Sequence, residues 1–343
     1  MEKTIETKDL MIGYRRFGSG YSGSISKRIN ISTVKGELTA VVGLNGSGKS
    51  TLLRTLAGLQ KQIDGKIFLC GKRILDYSRN ELARTISFVS TESVLVPYLK
   101  VFDLAAMGRY PYTGRMGKLN TEEKYQVLDA LDVVGLRYMA WRAIDTLSDG
   151  ERQRVMIARS LVQDTPVILF DEPTAYLDVP NKYEILALLK RLAHQQNKTI
   201  IYSTHDLSLA TRTADKIWLI SGASIHEGAP EDCSIQAAFS NLFTGANLEY
   251  NLVTGEIISN TIILGDMIVH TKNDPGRIRN ALERWGYNCV LNPPHDTKNL
   301  PSINVTIKKK EVEIRYNFAD EEITFASFYE FGLYLRTHPP TKA

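Results

Sequence analysis

Short apolar runs alternate with longer amphipathic stretches along this chain. Strand-sized runs, mostly of Val, Ile, Leu and Phe, occur at Leu38–Val42, Ile86–Val89, Val167–Phe170 and Thr199–Tyr202. Such runs are typical of strands buried on both faces of a parallel sheet. In Thr121–Val134 the apolar residues recur on one face of a helix instead. The pattern predicts an α/β core of parallel strands and helices.

The pattern changes along the chain and indicates two domains. Strands are predicted at 3–12 and 28–34, mostly helix at 98–165, and a hairpin at Tyr250–Ile258. Beyond this hairpin, two alternating strands flank the charged turn Lys308–Glu311. The predicted boundaries are 1–262 for a first domain, with a helical subdomain at about 95–165, and 263–343 for a small α+β domain.

Composition excludes several classes of protein. The chain is 43% hydrophobic and 23% charged, which is ordinary for a folded soluble protein. Its net charge of +4 is small for 343 residues, so we expect no nucleic-acid partner. Neither a membrane-spanning run nor the apolar core of a signal peptide is expected. Cys70, Cys233 and Cys289 stand far apart. A reducing cytoplasm is therefore predicted.

A glycine-rich segment follows the first buried strand. Gly43–Ser50 matches the pattern GxxxxGK[ST] and precedes a predicted helix. Glycines let successive backbone N–H groups turn toward phosphate oxygens, while Lys49 reaches the β and γ phosphates and Ser50 ligates Mg²⁺. The alternative is a glycine-rich turn with an incidental lysine. The predicted ATP-binding residues here are Gly43, Asn45, Gly46, Ser47, Gly48, Lys49, Ser50 and Thr51.

Two carboxylates end a later strand. Asp171 and Glu172 directly follow Val167–Phe170. At the carboxyl edge of a parallel sheet they face the same crevice as the phosphate loop. Asp171 is then suited to hold Mg²⁺, and Glu172 to polarise the attacking water. The alternative is a pair of solvated carboxylates. Kinases, GTPases and motors share the phosphate-loop pattern, so this pattern alone leaves the use of ATP open.

The segment Leu147–Gln153 makes the pattern specific. Its sequence, LSDGERQ, resembles the signature of ABC ATPases, usually Leu-Ser-Gly-Gly-Gln, and the resemblance covers residues 1 to about 260. It implies an α/β ATPase core with an antiparallel β subdomain and a helical subdomain. It also implies a homodimer in which Ser148 and Gly150 contact the γ-phosphate bound by the other subunit. Asp149 and Glu151 depart from the usual residues, which implies altered hydrolysis. The plainer alternative is that Ser148 and Glu151 only cap a helix.

Further segments extend the resemblance. Ala175–Asp178 resembles the D-loop between subunits, which makes Asp178 a nucleotide-site candidate. His205 resembles the switch histidine that contacts the γ-phosphate and Glu172, although a lone histidine is more often structural. Tyr14 resembles the aromatic residue that stacks on adenine.

Two alternatives remain open in these segments. Phe17 and Tyr21 are alternatives to Tyr14 as the adenine-stacking residue. The usual glutamine after Ile86–Val89 is missing. Thr91 aligns best with it as a metal ligand, and the neighbouring Glu92 is the alternative.

One segment resembles a particular subfamily. Met107–Tyr112 is similar to a segment of importer subunits for iron–siderophore, haem and cobalamin. The resemblance implies an ATPase on the cytoplasmic face of the inner membrane, peripheral to a permease that docks near Leu95–Arg115. A solute-binding protein would be an indirect partner. The alternative is an ordinary surface.

Three rival functions remain. They are a soluble ABC ATPase acting on ribosomes or DNA, a P-loop kinase, and a regulatory nucleotide-binding module with weak or no hydrolysis. For residues 263–343, a regulatory role and a passive stabilisation of the dimer stay equally open.

Overall fold

The computed structural model describes residues 2–14, 24–91, 96–113, 117–222, 224–235, 239, 248–250, 257–259, 263–272, 275–291, 300–308, 311–319 and 321–340. The chain forms two compact units. The first comprises Met1–Thr244 with Tyr250–Glu256, and the second comprises Gly245–Glu249 with Ile257–Ala343.

The first unit has eleven strands and eight helices within the described ranges. Its strands are β1 (Lys3–Gly13), β2 (Ser24–Ile29), β3 (Ser32–Val34), β4 (Leu38–Val42), β5 (Asp64–Leu69), β6 (Lys72–Arg73), β7 (Ile86–Val89), β8 (Val167–Phe170), β9 (Thr199–Thr204), β10 (Lys216–Ser221) and β11 (Ser224–Gly228). Its helices are α1 (Lys49–Leu56), α2 (Arg79–Thr85), α3 (Val101–Ala106), α4 (Thr121–Val133), α5 (Asp149–Val162), α6 (Val179–Gln196), α7 (Leu207–Thr213) and α8 (Pro230–Ile235).

A six-stranded sheet forms the centre of this unit. Its order is β11-β10-β4-β9-β8-β7, with parallel pairs from β10 to β7 and an antiparallel edge strand, β11. Strands β4, β8 and β9 are buried along their whole length, as their apolar runs predict. Because β4, β9 and β8 are direct neighbours, the loops that leave their carboxyl ends meet at one edge of the sheet.

A smaller antiparallel sheet, β2-β1-β5-β6 with β3 also paired to β1, packs over α1. The strand predicted at 28–34 is interrupted, and Thr7 supplies the reason. Its hydroxyl donates to the carbonyl of Ile29 and accepts from the N–H of Ile31. This side chain replaces ladder hydrogen bonds and divides the segment into β2 and β3. The predicted antiparallel subdomain is otherwise confirmed.

The helical subdomain consists of α3, α4 and α5, which pack against one another beside the main sheet. Helix is less continuous here than the apolar pattern predicts for 98–165. Single 3₁₀ turns occur at Met107–Arg109, Arg137–Met139 and Ile144–Thr146 instead. The last two turns lie between α4 and α5, in a connection that hydrogen-bonds to the segment before α3. For example, the Ile144 N–H donates to the Leu99 carbonyl.

The second unit contains a mixed sheet and two helices among its described residues. These elements are β12 (Leu248–Tyr250), β13 (Ile257–Ser259), β14 (Gly265–Thr271), α9 (Pro275–Arg284), β15 (Tyr287–Val290), β16 (Ser302–Lys308), β17 (Glu311–Phe318), β18 (Glu321–Phe325) and α10 (Phe328–Thr337). Strands β12 and β13 pair, as the hairpin pattern predicts. The main sheet has the order β15-β14-β16-β17-β18, and its apolar face packs against α9 and α10.

Candidate functional site

The loop between β4 and α1 wraps around the Lys49 side chain. Gly46 and Gly48 have φ angles of +78° and +100°, a region that favours glycine. The Lys49 ammonium is buried and donates to the carbonyls of Gly43 (2.9 Å) and Leu44 (3.1 Å). Burial lowers the pKa of Lys49, while the charges of Glu172 and Asp171 oppose that effect. The loop therefore holds a buried cation whose short hydrogen bonds go to neutral carbonyl groups rather than to a carboxylate.

The same loop contains an unsatisfied hydroxyl. Ser47 Oγ is buried without a hydrogen-bond partner in the described part of the chain. A Cβ at Gly43 would lie only 2.6 Å from that oxygen, so a larger residue would push into the loop. Buried polar atoms are normally paired. An anion held by the loop would satisfy this hydroxyl. Asn45 and Gly46 are exposed at the tip of the loop.

Asp171 lies opposite the start of α1. The hydroxyl of Ser50 donates to Asp171 Oδ1 at 2.9 Å. Thr91 donates its hydroxyl to the Asp171 carbonyl at 2.9 Å, so it fixes the backbone of this residue. The predicted role of Thr91 as a metal ligand stays a prediction. The alternative Glu92 lies outside the described residues.

The oxygen atoms of Ser50 and Asp171 fit Mg²⁺. This ion prefers hard oxygen ligands and commonly uses one or two protein ligands together with substrate phosphates. In the described ranges, no group of three or more His, Cys, Asp or Glu residues could hold a metal by itself. The donor set therefore suits a metal that arrives with a nucleotide rather than an all-protein cage.

The Glu172 carboxylate lies between two basic side chains. Its Oε1 is 3.7 Å from Lys49 Nζ, and its Oε2 is 3.6 Å from His205 Nδ1. Both separations exceed ordinary hydrogen-bond lengths. The carboxylate is 24% exposed and His205 is 55% exposed, so water reaches this point. The arrangement can orient a water molecule beside a phosphate held by Lys49.

Sequence reasoning missed Ser203, a fully buried residue of β9. Its hydroxyl donates to Asp171 Oδ1 at 2.7 Å and accepts the N–H of Glu172 at 2.8 Å. A serine directly after the predicted strand Thr199–Tyr202, two positions before His205, was the available signal. That signal does not reveal the partner, because the neighbouring strand comes from a distant part of the chain.

Tyr14 lies at the end of β1 beside the first turn of α1. Its hydroxyl is 3.2 Å from Thr51 Oγ1, and its side chain is 60% exposed. An exposed aromatic face next to the phosphate loop suits stacking on a flat base. The alternatives Phe17 and Tyr21 lie outside the described residues.

The signature segment forms a second group, at the start of α5. Ser148 caps this helix: its hydroxyl accepts the N–H of Glu151, and the Glu151 carboxylate accepts the N–H of Ser148. These bonds lower the pKa of Glu151. Asp149 forms an ion pair with Arg152, so its negative charge is neutralised on its own helix.

Gly150 and Asp178 are brought together by Asn181. A Cβ at Gly150 would lie 3.1 Å from Asn181 Oδ1, and the Asp178 carboxylate accepts from the N–H and side-chain amide of Asn181. Asp178 thereby caps α6. Among the described residues, no hydrogen bond or ion pair joins this second group to the group around Lys49.

The predicted docking segment is described from 96 to 113; Leu95, Gly114 and Arg115 lie outside the described residues. Arg109 pairs with Glu123 and stacks over Tyr112 at 4.0 Å. A Cβ at Gly108 would lie 2.2 Å from the Arg159 carbonyl, so only glycine fits between this segment and α5. The conspicuous Gly-Arg pair is therefore used for packing.

The part of the chain that the structure describes has no helix with the length and apolarity needed to span a bilayer.

The ABC transporter family model matches residues 26–175. The probable siderophore transport system ATP-binding protein YusV of Bacillus subtilis (strain 168) is 38% identical over 241 residues, or 70% of this chain and 86% of that protein.

Two solved structures extend this similarity to the fold. One is a chain of an ABC transporter assigned to the metal-chelate type, in an inward-facing conformation. It has a TM-score of 0.62 and 28% identity, over 75% of this chain and 95% of that one. The dimeric cassette MJ0796, bound to ADP and Pi, has a TM-score of 0.57 and 28% identity, over 66% and 98% of the two chains. The fold and family expected from LSDGERQ are confirmed: the chain belongs to the ATP-binding proteins of ABC transporters and is an ATPase.

Proposed function

We propose that this chain is the ATP-hydrolysing subunit of an importer for metal chelates of the iron–siderophore, haem or cobalamin type. One observation carries the chemistry: at the carboxyl edge of the sheet, the Glu172 carboxylate lies 3.7 Å from Lys49 Nζ and 3.6 Å from His205 Nδ1. The cargo class rests on the similarity to a siderophore-transport protein and to a metal-chelate-type transporter.

Each residue of this group has a distinct role in the proposed hydrolysis. Lys49 and the loop N–H groups bind the phosphates, and Glu172 orients the attacking water. Ser50 and Asp171 would hold Mg²⁺, which supplies positive charge to the phosphate oxygens when bound. His205 contacts the same water or the γ-phosphate. Tyr14 stacks on the adenine.

The second group completes the site from another copy of the chain. Ser148 and Gly150 lie at the N-terminus of α5, where N–H groups and the helix dipole favour an anion. In one subunit this group is separate from the phosphate loop, so we infer that it faces the loop of the partner in a homodimer. Asp178 precedes α6 beside it and would lie at the same interface. A dimeric cassette of similar fold supports this arrangement.

Coupling to transport requires a membrane partner. We propose that a permease docks near Leu95–Arg115, on the cytoplasmic face of the inner membrane, and that a solute-binding protein delivers the cargo to it. Tyr98 and Tyr110 are 86% and 62% exposed in this segment. Exposed aromatic residues on a segment that packs closely against α5 are suited to a protein interface.

We also propose that residues 1–262 form the nucleotide-binding domain, with a helical subdomain at about 95–165. Residues 263–343 would then form a separate small domain.

The test is a pull-down from membranes with tagged Glu172→Gln protein and Mg-ATP. This variant keeps the shape of the side chain but removes its charge, so we expect it to bind ATP and hydrolyse it at most about 1% as fast as wild type. It should then trap the ATP-bound complex. The same bait without nucleotide is the matched control.

Recovery of a multi-span permease only with Mg-ATP would support the proposed function. Recovery of ribosomes or DNA-repair factors without membrane protein would indicate a soluble ABC ATPase. Near-normal turnover by Glu172→Gln would refute the assigned role of Glu172. Negligible turnover by wild type, alone and with its permease, would favour a regulatory nucleotide-binding module.

A further inference from the structure

Ser203 presents a hydroxyl inside the apolar core of the main sheet. Strand β9 is buried along its whole length, and the side chain of Ser203 is fully shielded from solvent. A buried hydroxyl without partners destabilises a fold by about 1–3 kcal/mol. Ser203 avoids this cost through two short hydrogen bonds to the strand beside it.

These two bonds go to the functional residues at the end of β8. The carboxylate of Asp171 can only accept, so Ser203 donates its proton to Asp171 Oδ1 at 2.7 Å. The lone pairs of the same oxygen accept the N–H of Glu172 at 2.8 Å. One hydroxyl therefore fixes the carboxylate of Asp171 and the backbone of Glu172 at once.

Both groups need such support. Glu172 has a φ of +48°, in the left-handed region, which is unfavourable for residues other than glycine. The N–H bond to Ser203 holds the backbone in this conformation. Oδ1 of Asp171 receives a second hydrogen bond, from Ser50 at 2.9 Å. When Ser50 is drawn to another ligand, Ser203 is the remaining donor to this oxygen among the described residues.

We propose that Ser203 is a positioning residue for ATP hydrolysis, acting through Asp171 and Glu172 without touching the substrate. The inference rests on the proposed function, since it takes Asp171 as the metal-holding carboxylate and Glu172 as the residue that orients water. Ser203 sets the direction of the first and the backbone position of the second.

The test compares Ser203→Ala with Ser203→Thr, which retains a hydroxyl, and with Ser87→Ala as a matched control. Ser87 is also a buried serine on a strand of the same sheet, but its hydroxyl bonds to Thr165 and touches neither Asp171 nor Glu172. Ser87→Ala therefore shows the effect of losing a buried serine hydroxyl from this sheet without a direct change at Asp171 or Glu172. The full chain is used throughout.

Four quantities separate positioning from stability. They are kcat and KM for ATP, the affinity for N-methylanthraniloyl-ATP in EDTA and in Mg²⁺, and the unfolding midpoint. For Ser203→Ala we expect kcat to fall about tenfold, with KM changed less than about twofold. Affinity in EDTA should match wild type, while the gain in affinity on adding Mg²⁺ should shrink. Ser203→Thr should recover part of both effects.

Two results would overturn the inference. If Ser203→Ala and Ser87→Ala have the same kcat and the same Mg²⁺-dependent gain, while Glu172→Gln is inactive, Ser203 has no positioning role and the proposed function stands. If wild type itself does not hydrolyse ATP with or without its permease, the proposed function fails and takes the inference with it. A selective loss in Ser203→Ala supports both.

Discussion

Lys49 Nζ lies 3.7 Å from Glu172 Oε1, although Lys49 begins the helix that follows β4 and Glu172 follows β8. The distance is too long for a strong hydrogen bond and short enough for electrostatic attraction. The Lys49 ammonium donates hydrogen bonds to two carbonyls of the preceding loop instead. Both charges are thus held near each other without a short hydrogen bond between them, which leaves the Lys49 ammonium available to an anion.

Replacing Lys49 with methionine should separate ligand binding from stability. Lys49→Met removes the cation that we propose to bind phosphate, so we expect ATP affinity to fall at least about tenfold and hydrolysis to be lost. The free energy of unfolding at pH 7 should change by less than about 1 kcal/mol, because methionine has a similar volume and needs no desolvation of charge. Nucleotide titration and urea unfolding measure the two quantities.

The pH dependence of stability provides a check on this variant. Burial lowers the pKa of Lys49, so the unfolded chain binds this proton more tightly than the folded one. Between the folded-state and the ordinary lysine pKa, wild type should therefore gain stability relative to Lys49→Met as pH rises. A wild-type advantage that falls with pH, or a loss above about 3 kcal/mol in the variant at pH 7, would contradict this account.

His205→Ala should lower kcat strongly and stability little. The imidazole is 55% exposed and lies 3.6 Å from Glu172, so its removal disturbs little packing. It leaves the carboxylate that we propose to orient water without this neighbour. We expect a loss of about a hundredfold in kcat. His194→Ala is the control, since His194 pairs with Asp215 and not with the site. Equal rates for both variants would remove His205 from the mechanism.

Gly108→Ala should destabilise the first unit by about 2 kcal/mol or more, because its Cβ would meet the Arg159 carbonyl at 2.2 Å and cannot be accommodated without backbone movement. Gly265→Ala is a suitable control, since a Cβ there would meet nothing within 4 Å. Denaturant unfolding of both variants measures the difference. Similar unfolding midpoints would show that the segment before α4 adapts more easily than its packing indicates.

Arg152→Ala should weaken ATP-dependent dimerisation more than Arg154→Ala does. Arg152 neutralises Asp149 at the helix N-terminus that we place opposite the partner's phosphates, whereas Arg154 pairs with Glu184 instead. An unpaired Asp149 carboxylate would repel the triphosphate.

Adding Asp149→Gly to Arg152→Ala removes the unpaired carboxylate, so it should restore part of the ATP-dependent dimerisation. Light scattering in the Glu172→Gln background, over a range of ATP concentrations, provides the measurement. Failure of the double variant to recover would mean that Arg152 acts through the Leu147 carbonyl, its other contact.

Local patterns predicted part of the backbone geometry at the candidate site. The capping box joins Ser148 and Glu151, three positions apart, and forms as expected. Gly46 and Gly48 adopt the positive φ angles that a phosphate loop requires. These features depend on neighbours within one turn of chain, so the order of the residues is sufficient to indicate them.

Other contacts could not be read from the order of residues. Gly108 and Arg109 resembled a segment typical of importers, yet their environment is set by α4 and α5. The pattern around 98–165 also predicted more helix than forms, because apolar periodicity reports burial and not the hydrogen bonds of connecting turns. Both the environment of Gly108 and Arg109 and the extent of helix in this region depend on tertiary packing.

The sequence by itself determined the α/β class, the nucleotide-binding motifs and the family, because each depends on residue types at short, fixed spacings. Only the tertiary structure decided that β9 lies between β4 and β8. That order brings Ser203 to Asp171 and Glu172, and it brings Lys49 to Glu172 across more than a hundred residues of chain. An apolar sequence indicates that a strand is buried, but it does not indicate which strands lie beside it. The order of the strands depends on the packing of the whole sheet.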